Sequence, residues 1–211
     1  PFSHNGRDEI VIVGGDCLTG HDPKTGKELW RWGTWNPSRI GHWRLVPSPV
    51  AGKGVLLACG PKGAPVFAIK AGAKGDVSED KSSIAWQSEG RRDQVTSDVS
   101  TPLFYQGNFY VLYGEGRDKI LSCVDPKSGK AKWATDLESR SLFRGSPTGA
   151  DGKLYVQNHA GTVHVIDAKS GKVLHKTNMG EPGDDQTRAT IAVAHGNLFI
   201  RTNSRLYCIG S

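Results

Sequence analysis

The residues of this 211-residue chain whose types and spacing could do chemistry are its arginines and tryptophans. Trp30, Trp32, Trp35 and Trp43 fall close together in Gly33–Val46 and the strand before it, interleaved with Arg31, Arg39, His42 and Arg44. Exposed indoles beside guanidinium groups can stack on sugars, nucleobases or a quinone ring. The plainer reading is that Trp30 packs against neighbouring structure and the others anchor a long loop. Three further stretches carry arginine: Ser88–Val99 with Arg91, Arg92 and Asp98, then Asp136–Arg144, then Asn178–Arg188. If Trp43, Arg44, Arg92, Asp98, Arg144 and Arg188 converge, the guanidinium groups could clamp a carboxylate, phosphate or sulfate. If they do not, they are solvated loop charges or partners of acidic neighbours.

Other chemistries find less support. Glu181, Asp184 and Asp185 offer oxygen ligands, but without the residue order of a calcium-binding loop, so Gly180–Gln186 reads as a polar turn. The seven histidines are scattered with no HExxH spacing, and there is no Gly-x-Ser-x-Gly elbow or phosphate-binding glycine loop. Cys17, Cys59, Cys123 and Cys208 show no CxxC spacing and read as small buried hydrophobes rather than disulfides. No catalytic residue and no metal ligand is therefore assigned. The net charge of 27 − 21 = +6 weakly favours an anionic partner. Dense Lys/Arg runs are missing, so no nucleic acid is expected. No apolar run approaches the ~18 residues of a membrane span. The chain begins with Pro1, not Met, so it is silent about targeting.

The elements that must position these side chains are legible from repetition. Asp22-Pro-Lys-Thr-Gly-Lys-Glu-Leu-Trp30 returns as Asp125-Pro-Lys-Ser-Gly-Lys-Ala-Lys-Trp133 and as Asp167-Ala-Lys-Ser-Gly-Lys-Val-Leu-His175. Lys70 and Gly210 hold the Asp position in two further units. A Gly turn precedes each marker: Asn5-Gly6, Lys53-Gly54, Gln106-Gly107, Asp151-Gly152 and His195-Gly196. Within a unit the pattern is four short strands, clearest in the fourth: Gly145–Ala150, Lys153–Gln157, Thr162–Ile166 and Val173–Thr177. Four antiparallel strands every ~40–50 residues predict β-propeller blades. The units span about 1–45, 46–98, 99–143, 144–186 and 187–211 of one all-β domain. The insertion Gly72–Ser83, rich in charge, Gly and Ser, reads as a solvated loop.

The Asp-x-x-Thr/Ser-Gly-Lys-x-x-Trp pattern, preceded by a Ser-Pro strand, resembles the tryptophan-docking repeat of the quinoprotein-like (PQQ-like) β-propeller family. That family includes PQQ-dependent alcohol dehydrogenases and the assembly lipoprotein BamB. The resemblance covers essentially the whole chain and is specific for fold, not for function. Asp22, Asp125 and Asp167 should accept hydrogen bonds from their turns, and Gly26, Gly129 and Gly171 should supply a positive φ. Trp30, Trp86 and Trp133 should cover the neighbouring blade.

In such a ring the loops entering each innermost strand meet around the axis on one face. Those are the four Arg- and Trp-bearing stretches. The first unit, with only Pro1–His4 before its Gly turn, is expected to lack most of an innermost strand, and the last to lack an outermost one. The chain is then expected to be the C-terminal part of a longer propeller, a full ring needing roughly 300–350 residues. Further blades, or another copy, would cover the open edges. The resemblance implies a non-catalytic binding or scaffolding module of a bacterial envelope or secreted protein, periplasmic or secreted. Its axial face would take a protein or a small anionic ligand, and no cofactor is expected. The alternatives are part of a PQQ-dependent dehydrogenase with Ca²⁺, or a glycan-binding propeller using the Trp-rich loop. Such dehydrogenases usually carry adjacent cysteines beside the cofactor, and none occur here.

Overall fold

The computed structural model describes residues 1–33, 41, 45–60 and 62–210. Five antiparallel sheets follow one another along the chain. The first contains β1 (Phe2–His4), β2 (Arg7–Val13), β3 (Cys17–His21) and β4 (Glu28–Gly33). The second contains β5 (Val50–Gly52), β6 (Val55–Cys59), β7 (Val66–Lys70) and β9 (Ile84–Gln87), while the short β8 (Gly75–Asp76) leaves it for its neighbour. The third contains β10 (Leu103–Tyr105), β11 (Asn108–Tyr113), β12 (Ile120–Val124) and β13 (Ala131–Asp136). The fourth contains β14 (Thr148–Ala150), β15 (Lys153–Gln157), β16 (Thr162–Asp167) and β17 (Val173–Asn178). The fifth contains β18 (Ala192–Ala194), β19 (Asn197–Arg201) and β20 (Leu206–Ile209).

Local chemistry explains the recurrence. Every first hairpin turns through two residues at positive φ, from Asn5 (49°) and Gly6 (76°) to His195 (49°) and Gly196 (74°). This is the twist-compatible two-residue turn. In the third connection Asp22 Oδ1 accepts the Lys24 and Thr25 N–H groups, both at 2.8 Å, and the Thr25 hydroxyl. Asp125 and Asp167 repeat the arrangement with Ser128 and Ser170. These bonds hold all three carboxyls below the ordinary range, led by the Thr25 N–H at Asp22, the Ser128 N–H at Asp125 and the Ser170 hydroxyl at Asp167.

The core lies between sheets rather than within them. One apolar cluster joins each neighbouring pair, for example Leu18, Trp30 and Trp32 with Leu56, Ala58 and Ile69 between the first two. Nearer the axis, hydroxyls link units in series. Ser48 N–H donates to Thr101 Oγ1, Thr101 N–H to Ser146 Oγ, and Ser146 N–H to Thr190 Oγ1, each at 3.0 Å.

The tryptophans pack in two ways. Trp86 lies on the third unit's turn: a Cβ on Gly129 would meet its ring at 2.5 Å, and its indole N–H donates to Pro126 O at 2.8 Å. Trp133 covers Gly171 in the same manner. Trp30 is buried at the interface too, but it lies over Gly20 of its own sheet and donates to Glu9 Oε2. The second unit, with Lys70 and an insertion, offers it no Asp-to-Gly turn.

Three expectations need correction. The first sheet has its innermost strand: three residues suffice in every unit, and Phe2–His4 supply them by pairing with Arg7–Glu9. Gly72–Ser83 is not simply a solvated loop. Its Gly75–Asp76 pairs in parallel with Trp30–Arg31 as a fifth strand of the first sheet, and Arg7 donates to Ala73 O. Of the cysteines only Cys59 and Cys123 are buried; Cys17 is half-buried and Cys208 exposed. Cys208 shares its repeat position with Cys123, but its strand has no fourth strand beside it to cover the thiol.

Candidate functional site

Alternation along an antiparallel sheet puts two sets of loops at one end: those entering each innermost strand, and those joining second to third strands. The structure knits these sets together. His159 N–H donates to Leu142 O at 2.8 Å, and Thr187 N–H donates to His159 O at 3.0 Å. Phe143 N–H reaches Gly114 O at 3.0 Å. Asp98 is buried and accepts the Lys62 N–H at 2.6 Å, which makes it a loop staple. Asp184 is another, accepting from Glu181 N–H at 2.8 Å and from the Ser204 hydroxyl at 3.0 Å. Lys62, Gln94 and Glu138, all on this face, hold left-handed backbone without being glycine, a strain that clusters at binding surfaces.

Of the six candidate binding residues, Trp43 and Arg44 lie outside the described residues. Arg144 and Arg188 belong to loops that both bond to the His159 backbone, through Leu142 O and the Thr187 N–H. Arg144 is ion-paired with Glu115 at 2.6 Å, while its Nε is buried without a hydrogen bond. Burial, and then the Arg144 and Arg188 charges, push the His159 imidazole below its ordinary range, with Asp185 pulling the other way. His159 is 9% exposed and its Nε2 has no hydrogen-bond partner. Gln157, two residues back, is 3% exposed with both amide atoms unpartnered. Arg188 is exposed and lines a groove of about 370 Å³ with Arg201, Thr187 and Asn203. Arg92 is exposed. Its neighbour Arg91 instead lies 5.1 Å over the Tyr113 ring, a cation–π placement.

Reasoning from sequence missed Gln157, His159, Glu115 and Tyr113 because it followed only the loops entering innermost strands. A signal existed. The second-to-third-strand loops sit at a fixed offset after each Gly turn, and two of them carry these polar residues at their edges.

The family model described as "Outer membrane protein assembly factor BamB" matches residues 14–210. The chain belongs to this BamB-like family of PQQ-type propeller repeats. Among solved structures, BamB from Moraxella catarrhalis is 12% identical, covering 92% of this chain and 55% of that one, with a TM-score of 0.63. The quinohemoprotein alcohol dehydrogenase from Comamonas testosteroni is 12% identical, covering 96% of this chain and 40% of that one, with a TM-score of 0.71. A chain of a mitotic checkpoint complex is 12% identical, covering 99% and 62%, with a TM-score of 0.67. At such identities the likeness shows the propeller fold alone. The chain spans about half the length of the BamB and dehydrogenase structures it matches. No curated protein matches it significantly. No helix among the described residues is long and apolar enough to cross a membrane.

BamB-like repeats share their fold with quinone-dependent dehydrogenases, so the described residues can be tested against such a cofactor. No three His, Cys, Asp or Glu side chains among them cluster as a metal site. Cys17, Cys59, Cys123 and Cys208 stand in four different sheets. Burial pushes the Cys59 thiol up to about 12, the behaviour of an inert core residue. The described residues thus offer neither a carboxylate cluster for calcium nor a pair of adjacent cysteines beside it.

Proposed function

We propose that the chain is a non-catalytic binding module of an envelope or secreted protein, periplasmic in its family's manner, whose loop face engages an acidic segment of a partner protein. What carries this reading is Arg188. It is an exposed guanidinium with no ion-pair partner among the described residues, on a backbone fixed through Thr187 to His159, sharing its groove with the exposed Arg201. Arginines pre-positioned on a rigid scaffold lose little freedom when they grip a carboxylate. The +6 net charge adds a long-range pull in the same direction. The Asp98, Asp184 and Glu115 carboxylates do not oppose it from the open, since each is taken up in a staple or an ion pair.

The test is binding of a glutamate-rich peptide by titration calorimetry at two salt concentrations. The unmodified chain should bind with an affinity that falls as salt rises. Arg188→Glu with Arg201→Glu should weaken binding about tenfold or more, as loss of two charge-assisted contacts implies. Binding indifferent to both substitutions would refute the assignment. So would dye-linked alcohol oxidation after reconstitution with PQQ and Ca²⁺.

A further inference from the structure

The third strand of each unit carries one residue, three before the Asp position, that faces the preceding unit. In the second unit it is Phe67, whose ring lies 5.0 Å from Trp32. In the fourth it is His164, fully buried, 5.3 Å from Phe143 and bonded through Nε2 to Leu137 O. In the fifth it is Tyr207, packed in the cluster with Tyr155 and Ile200. Each ring packs into its inter-unit interface. In the third unit the residue is Ser122, whose hydroxyl donates to Gln94 O at 2.7 Å. Across the ladder from Ser122 stands Ala134, where His164 faces Lys176 and Phe67 faces Gln87. Two side chains are thus short at one interface: Gln94 closes over the buried Ser122, and a cavity of about 530 Å³ opens beside it, lined by Ala134. This is the size of a small-ligand site.

The lining is not that of a packing defect. Arg91 and Arg117 bring positive charge, Asp118 and Asp136 negative, and Gln94 and Tyr113 complete the polar wall. Tyr113 is 7% exposed, with a hydroxyl that makes no hydrogen bond, and the Arg91 guanidinium already lies over its ring. Gln94 holds its carbonyl in place at a left-handed φ of 63°. Ile120 and Ala134 supply an apolar floor.

We propose that the cleft between the second and third units binds a small planar aromatic molecule bearing both a carboxylate and an amine, an aromatic α-amino acid being the simplest. The ring packs on Ile120 and Ala134, beside the position that Phe67, His164 and Tyr207 hold in the other clefts. The carboxylate meets Arg91 or Arg117, and the amine meets Asp118 or Asp136. A ligand of one sign would leave one of the two charged pairs facing its like.

The test is calorimetry and backbone NMR of the whole chain with L-tryptophan, and with indole and glycine as the ring and the zwitterion alone. L-Tryptophan should bind and shift the Tyr113 and Ser122 amides. Ser122→His with Ala134→Lys, which copies the residues of the next interface, should weaken it at least about tenfold. Ala134→Lys alone, on an exposed strand, should weaken it in part without risk to the core. Arg91→Ala should lose affinity for tryptophan but not for indole. No shift at Tyr113 and Ser122 up to about 10 mM tryptophan, or unchanged affinity in the filled variant, would overturn the site. Glycine binding as well as tryptophan would overturn the ring. Indole binding as well as tryptophan would overturn the charged tail.

Discussion

Gly26 and Gly129 occupy the same place in two copies of one turn, each at φ +71°, yet their surroundings differ. A Cβ on Gly26 would meet nothing within 4 Å, while one on Gly129 would meet the Trp86 ring at 2.5 Å. Gly26→Ala should therefore cost only the left-handed penalty, about 1–2 kcal/mol. Gly129→Ala pays that and must also displace an indole held by its bond to Pro126 O. Overpacking of this kind adds about 1–3 kcal/mol, so the total is roughly 2–5 kcal/mol. Trp86→Ala alone should cost about 3–5 kcal/mol, but in that background Gly129→Ala should fall back to about 1–2 kcal/mol. Urea denaturation followed by far-UV dichroism measures all four variants, and the coupling between positions 86 and 129 isolates the packing of ring on turn. Equal costs for Gly26→Ala and Gly129→Ala, or no coupling to Trp86, would refute the claim that this ring seals the joint.

Other outcomes follow from the same structure. Burial and then Lys176 depress the His164 imidazole to about 4, so its unfolded form gains a proton first as pH falls. Stability should drop by up to about 3 kcal/mol between pH 6.5 and 4. His164→Phe, the residue type of the second unit, should flatten that part of the pH profile. Thr101→Val removes the acceptor of the Ser48 N–H and should cost about 1 kcal/mol by thermal or chemical denaturation. Cys208 should react rapidly with a thiol reagent in the native state, Cys17 more slowly, and Cys59 and Cys123 only on unfolding, as their exposures require.

Much of the fold was legible because its units are local. Asp22, Asp125 and Asp167 bond to groups two and three residues away, and the Gly turns close on adjacent residues, so each copy states its own geometry. The innermost strand of the first unit was missed because three residues carry too little pattern to announce a strand. The insertion at Gly72–Ser83 was misread because its partner, Trp30–Arg31, lies some forty residues back and pairs in parallel.

The site divides along the same line. The sequence by itself determined the order of the repeats, their Gly hairpin turns and their Asp-to-Gly turns. All of these depend on spacing within a unit or on a fixed offset between units. Only the tertiary structure decided that Arg144 is held by Glu115 while Arg188 has no ion pair among the described residues. It alone buried His159 within reach of two arginine charges and turned Asp98 into a staple. It alone showed a cleft lined by Ala134 beside the buried Ser122, at the interface where the third unit lacks the ring that Phe67, His164 and Tyr207 supply elsewhere. The reason is physical: a side chain's partner, its exposure and the space beside it are set by the neighbouring unit, whose sequence lies about forty to fifty residues away.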